Sequence, residues 1–91
     1  MRESAIERKV CAYAKQRGCE VYKFVSPGRR GVPDRMFVTP KGKVFFIEFK
    51  APTGKMTALQ KREIEKLRSK DVDVFVCWSQ SHGEMLMDTI L

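Results

Sequence analysis

The sequence predicts an α/β domain: a mixed four-stranded sheet with helices packed on it, in the order helix, three strands, helix, strand, helix. Three observations carry that expectation. Apolar residues recur at helical spacing at Ile6, Val10, Tyr13 and Ala14, and again at Met56, Leu59, Ile64 and Leu67. Short β-rich runs stand apart from them at residues 20–26, 34–39, 44–50 and 72–79. The gap between the third and fourth runs leaves room for a helical crossover, and so for a parallel pair.

Each element has its own signals. Ser4 and Glu7 read as a capping box, Ser4 as N-cap, opening a first helix over about residues 5–17. Gly18 closes it as the left-handed C′ residue. Residues 20–26 (EVYKFVS) form the first strand. Residues 27–33 (PGRRGVP) are a loop rich in turn formers that carries two arginines. The second strand, 34–39, leads through a tight turn at 40–43 (PKGK) into the third, 44–50, which makes a hairpin. That third strand (VFFIEFK) is apolar on both faces as far as Ile47, the mark of a central strand. Thr57 and Gln60 form a second capping box and open a helix over residues 58–69. Residues 72–79 alternate as the fourth strand, and a short final helix starts at 81–84. Residues 1–91 make one domain, with no repeat, linker or low-complexity segment.

Composition narrows the chemistry. Hydrophobic residues, 43% of the 91, suffice for one small core. No apolar run approaches the roughly 20 residues that span a bilayer, so no membrane partner is expected. The N-terminus lacks the apolar region of a secretory signal. Three cysteines without a CxxC pair fit reduced thiols in the cytoplasm. A thiolate zinc site is all but excluded, and the one histidine, His82, reads as a surface residue at a helix start. Carboxylates, lysines and arginines must carry any reaction.

The net charge of +7 favours a polyanionic partner. The balance is +5 over residues 1–33, +3 over 34–56 and −1 over 57–91. Residues 21–62 hold ten bases and only two acids, Asp34 and Glu48. Glu48 and Lys50 share one face of the third strand, while Phe45, Ile47 and Phe49 point into the core. A central strand gains nothing by burying a carboxylate and an ammonium. The hairpin sets Asp34 near Glu48 to Lys50. Two carboxylates at one sheet edge suit a hard divalent cation such as Mg²⁺. Lys50 is placed to stabilise charge developing on a phosphodiester. Glu7 falls inside the apolar arc of the first helix and faces inward; Glu3 joins that arc if the helix begins earlier, and ranks below Glu7. Gln60 lies inside the arc of the second helix, as does Glu63.

The string Ile6-Glu7, Tyr22-Lys-Phe-Val-Ser-Pro-Gly28, Gly31-Val-Pro-Asp-Arg35, Phe46-Ile-Glu-Phe-Lys-Ala-Pro52 and Gln60 resembles the virus-type replication-repair nuclease (VRR-NUC) branch of the PD-(D/E)xK nucleases. The resemblance covers about residues 3–79. It implies a restriction-endonuclease-like αβββαβ core and Mg²⁺ or Mn²⁺ as cofactor. It implies metal binding by Glu7, Asp34, Glu48 and the carbonyl of Phe49, a catalytic Lys50, and Gln60 beside the site. Phe49 stands where an aliphatic residue is common, but only its main chain is needed. The small stand-alone members are similar to junction resolvases that act as homodimers. The resemblance therefore implies a phage- or prophage-type endonuclease in a bacterial host cell. Its substrate would be branched DNA in repair, recombination or replication.

Around this centre Arg29 and Arg30 read as phosphate contacts. Lys23 and Ser26 join them as candidate substrate contacts, and so does Arg35, which points to the face opposite Asp34. Plain structural readings stand beside these. Asp34 after Pro33 suits a turn, Glu48 and Lys50 suit a strand end, and Glu7 and Gln60 suit capping boxes. Arg29 and Arg30 suit a solvated loop, and Lys23 suits a snorkelling side chain. Two rival functions follow: a non-catalytic nucleic-acid-binding module, and a homodimer whose basic face docks an acidic protein. Any dimer contact is expected in the C-terminal third, around residues 72–78.

Overall fold

A computed structural model describes residues 1–91 throughout. Its elements are α1 (Glu3–Gln16), β1 (Glu20–Lys23), β2 (Arg35–Val38), β3 (Val44–Phe49), α2 (Ala58–Ser69), β4 (Val74–Cys77) and α3 (Gln80–Ile90). The order is the expected one. The sheet runs β1-β2-β3-β4, with β1–β2 and β2–β3 antiparallel and β3–β4 parallel. The α2 crossover is what permits that parallel pair.

The first helix departs from its expected start. It begins at Glu3, with Arg2 as an N-cap that makes no side-chain bond. The Ser4–Glu7 capping box does not form. Both residues lie inside the helix, and Arg35 holds the Glu7 carboxylate across the fold. The C-terminus follows expectation: Gly18 takes φ +92°, its N–H bonds Lys15 O, and the Cys19 N–H bonds Ala14 O. This is a Schellman closure.

The strands are shorter than their β-rich runs. β1 stops at Lys23, although the Phe24 N–H still reaches Asp34 O at 2.9 Å. Thr39 leaves β2 to close the hairpin: its Oγ1 accepts the Lys43 N–H and its own N–H donates to Lys43 O. Val72 is drawn into the end of α2, its N–H bonding Leu67 O, so β4 begins at Val74. The final helix is longer than expected. Ser79 caps it by accepting the His82 N–H, and Gly83 lets it lie against α1, where a Cβ would sit 2.3 Å from a Val10 methyl.

Helices α1 and α3 cover one face of the sheet. Ile6, Val10, Ala14, Phe37, Phe45, Ile47, Phe49, Cys77 and Met87 are buried there. Phe37 and Phe45 stack with centroids 5.0 Å apart. Each buried phenylalanine contributes about 1.5–3 kcal/mol. Cys11, Cys19 and Cys77 are buried free thiols. On the other face α2 packs over β4. There Tyr22, Met36 and Phe46 line up across β1, β2 and β3, and Tyr22 and Val44 remain 49% and 44% exposed. No helix is long and apolar enough to cross a membrane.

Candidate active site

Two acids meet where β2 begins and β3 ends. Arg35 pairs with Ile47, so Asp34, one residue earlier, comes beside Glu48. Asp34 Oδ2 accepts the Phe49 N–H at 2.8 Å, and the Asp34 carbonyl accepts the Phe24 N–H. Asp34 is thus fixed from both neighbouring strands. Ile47 and Phe49 are in the core, so Glu48 and Lys50 project from the opposite face.

On that face α2 contributes Gln60. Its Nε2 donates to Glu48 Oε2 at 3.0 Å, and its Oε1 accepts the Thr57 N–H at 3.0 Å. The Gln60 N–H in turn donates to Thr57 Oγ1. The capping box that starts α2 therefore also orients Glu48. Lys50 Nζ lies 3.8 Å from the same Glu48 oxygen and is itself buried.

Glu48 is only 2% exposed. Burial pushes its pKa up to about 8, the charge of Asp34 adds to the rise, and Lys50 opposes it. Burial also raises Asp34, and the Phe49 N–H partly offsets that. Neither anion is fully compensated by the protein, and a cation between them would relieve both.

The acids of α1 differ in their engagements. Glu7 Oε2 accepts Arg35 Nε at 2.6 Å and lies 3.5 Å from Lys23 Nζ. Arg35 faces α1 because it pairs with core-facing Ile47. Arg35 and Lys23, both candidate substrate contacts, thus spend charge on Glu7. Glu3, one turn earlier, is exposed and makes no ion pair; the charges of Glu7 and Glu3 both help raise Asp34 and Glu48. The helix does begin early enough to include Glu3, the condition under which the sequence put it on the same arc as Glu7. No three Asp, Glu, His or Cys side chains converge as a ready ligand set. The oxygens the strands do bring together are those of Asp34 and Glu48, with the Phe49 main chain beside them. This hard-oxygen donor set fits Mg²⁺ or Mn²⁺, which keep water and substrate oxygens in their remaining positions.

The loop before β2 lies against α2. Arg29 Nη1 lies 3.3 Å from Glu63 Oε1, Arg30 is exposed, and the half-buried Ser26 accepts the Arg29 N–H through its carbonyl. Asp34, Glu48, Lys50 and Gln60 line none of the surface hollows.

A family model described as the VRR-NUC domain matches residues 3–81. The chain belongs to the VRR-NUC family. The match starts at the first residue of α1 and ends in the first turn of α3, so it spans the whole sheet and every residue of the site. A relative, the candidate nuclease p44 of Acyrthosiphon pisum secondary endosymbiont phage 1, is 44% identical over 86 residues. That alignment covers 94% of this chain and 92% of the relative. A solved VRR_NUC domain structure superposes with a TM-score of 0.87 at 26% identity, covering 98% of this chain and 97% of that one.

Proposed function

We propose that this VRR-NUC protein is a metal-dependent endonuclease that hydrolyses phosphodiester bonds of branched DNA, four-way junctions above all, as a homodimer. The observation that carries this reading is the meeting of Asp34, Glu48 and Lys50 at one point of a strongly basic chain. The name of the phage relative supports the nuclease class and a setting in a bacterial host's cytoplasm.

Asp34, Glu48 and the Phe49 carbonyl would hold Mg²⁺ or Mn²⁺, with an acid of α1 completing the set. Glu3 is the α1 acid without a competing ion pair; Glu7 would first have to leave Arg35. When bound, the ion supplies Lewis-acid polarisation of the phosphodiester and acidifies water. The remaining work belongs to the chain. Gln60 holds Glu48 in one orientation. Lys50, a compact point charge, stabilises negative charge growing on the phosphoryl oxygens. Arg29 and Arg30 hold flanking phosphates.

The uncovered sheet face supports the dimer. Tyr22, Phe24, Met36, Val38, Val44 and Phe46 form it, and none of them is basic. A chain of +7 can meet its own copy only where like charge is scarce. A two-fold axis over β1 and β2 matches the two symmetric strands of a junction. On this reading the contact lies away from the C-terminal third.

The test is a cleavage panel of single-stranded, duplex, flap and four-way-junction DNA with Mg²⁺ or Mn²⁺. Junction cutting is expected, and is expected to vanish in EDTA and in Asp34→Ala and Lys50→Ala. Equal cutting under any of those conditions overturns the mechanism. Salt-dependent binding without turnover returns the non-catalytic module.

A further inference from the structure

Helix α2 turns a second polar residue inward, one turn after Gln60. Glu63 is a buried carboxylate, 6% exposed at its side chain, and Arg29 is its one side-chain partner. A buried anion with so little compensation is costly unless it has a purpose. Its partner sits in the loop 27–33, and 60% of the Arg29 side chain stays open to solvent. The same loop approaches the same helix closely at a second point. Gly31 takes φ +83°, and a Cβ there would sit 2.7 Å from Leu59 O. The loop then runs directly into Asp34. The side chains of Gln60 and Glu63 thus tie α2 to Glu48 and to the arginine loop.

We infer that Glu63 is a positioning residue for DNA: it holds Arg29, on the loop that leads into Asp34, with part of its guanidinium free for a phosphate. This rests on the nuclease reading and deepens it. A guanidinium has donors enough to serve a carboxylate on one edge and a phosphate on another. An arginine anchored in this way loses less freedom when the strand arrives than one on a loose loop. Arg30, with no such anchor, contributes charge without placement.

Binding of a labelled four-way junction in EDTA, read by fluorescence anisotropy over a salt series, tests the role apart from cleavage. Glu63→Ala is expected to weaken binding about threefold to tenfold and to flatten the salt slope by about one released ion. Arg29→Ala does the same, and the double variant binds no worse than Arg29→Ala alone. In Mg²⁺ the loss appears as a raised KM with kcat little changed. Glu63→Gln, similar in shape and uncharged, falls between parent and Glu63→Ala. It carries the comparison if the alanine variant melts early. Parent-like affinity and salt slope in folded Glu63→Gln and Glu63→Ala, or losses that add in full to those of Arg29→Ala, overturn the inference alone. A parent chain that does not bind the junction overturns the nuclease reading and this role with it.

Discussion

Gln60 donates its side-chain amide to Glu48 at 3.0 Å while its carbonyl oxygen caps α2 through the Thr57 N–H. One residue therefore serves the stability of a helix and the orientation of a candidate metal ligand, and two substitutions separate the services. Thr57→Ala breaks the cap and is expected to cost about 1 kcal/mol of stability, with most activity kept. Gln60→Ala loses a similar amount of stability and, in addition, about tenfold in kcat. Denaturant unfolding beside a cleavage assay checks both; equal activity in the two variants removes Gln60 from the site.

Glu48 contributes to the pH dependence of the metal-free protein, beside Asp34, which burial also raises. Its pKa of about 8 in the fold lies above its ordinary value of 4.5, so the folded state keeps a proton that the unfolded state has lost. The fold is unburdened below the ordinary value, loses stability as pH rises toward 8, and levels off above it. Glu48→Gln removes that slope. In EDTA at pH 8.5 it is expected to be more stable than the parent by on the order of 2 kcal/mol, with no such gain at pH 5. Added Mg²⁺ or Mn²⁺ raises the parent's midpoint and not the variant's. An unchanged pH slope in Glu48→Gln refutes this assignment.

Glu3 and Glu7 have separable effects. Glu3→Gln is expected to lower cleavage about tenfold or more and to leave the melting temperature in place. Glu7→Gln strips Arg35 and Lys23 of their partner and costs about 1–2 kcal/mol. The converse pattern, with Glu7→Gln inactive but stable and Glu3→Gln active, returns the ligand role to Glu7.

Gly31→Ala places a side chain where the backbone is left-handed and Leu59 O is 2.7 Å from the new carbon. A cost of about 1–3 kcal/mol is expected. Junction affinity falls with it, because the loop must lift from α2. A variant with parental stability and affinity contradicts the seating of this loop.

Val44→Lys puts a cation on an exposed position of the uncovered sheet face, at its hairpin end. Light scattering is expected to show a dimer for the parent and a monomer for the variant, with paired junction cutting reduced to single nicks. A parent that is monomeric at assay concentration refutes the dimer.

Local signals were the legible ones. The Thr57–Gln60 capping box, the Gly18 closure and the hairpin that brings Asp34 to Glu48 each depend on residues close in the chain or on strand alternation. Strand alternation also separates Glu48 and Lys50 from the buried Phe45, Ile47 and Phe49. What escaped depends on distant partners. Glu7 reads locally as a cap, but Arg35 crosses from β2 to claim it. Gly83 lies in the expected final helix, but only the fold shows Val10 packed where its side chain would be. Glu63 falls on the inward arc of its helix by periodicity, but its arginine partner shows only once the loop folds over it. The open sheet face exists because α2 lies over β4, which no single segment announces.

The Asp34 carboxylate divides its labour between its oxygens. Oδ2 replaces a missing rung between β2 and β3 by accepting the Phe49 N–H. Oδ1 is left to face whatever the site admits. An amide has one accepting oxygen where the carboxylate has two. Asp34→Asn, usually the mild choice, would make that single oxygen choose between stapling the strands and serving the reaction. Scaffold and chemistry share one side chain at this position, so a loss of activity there is also a report on the hairpin.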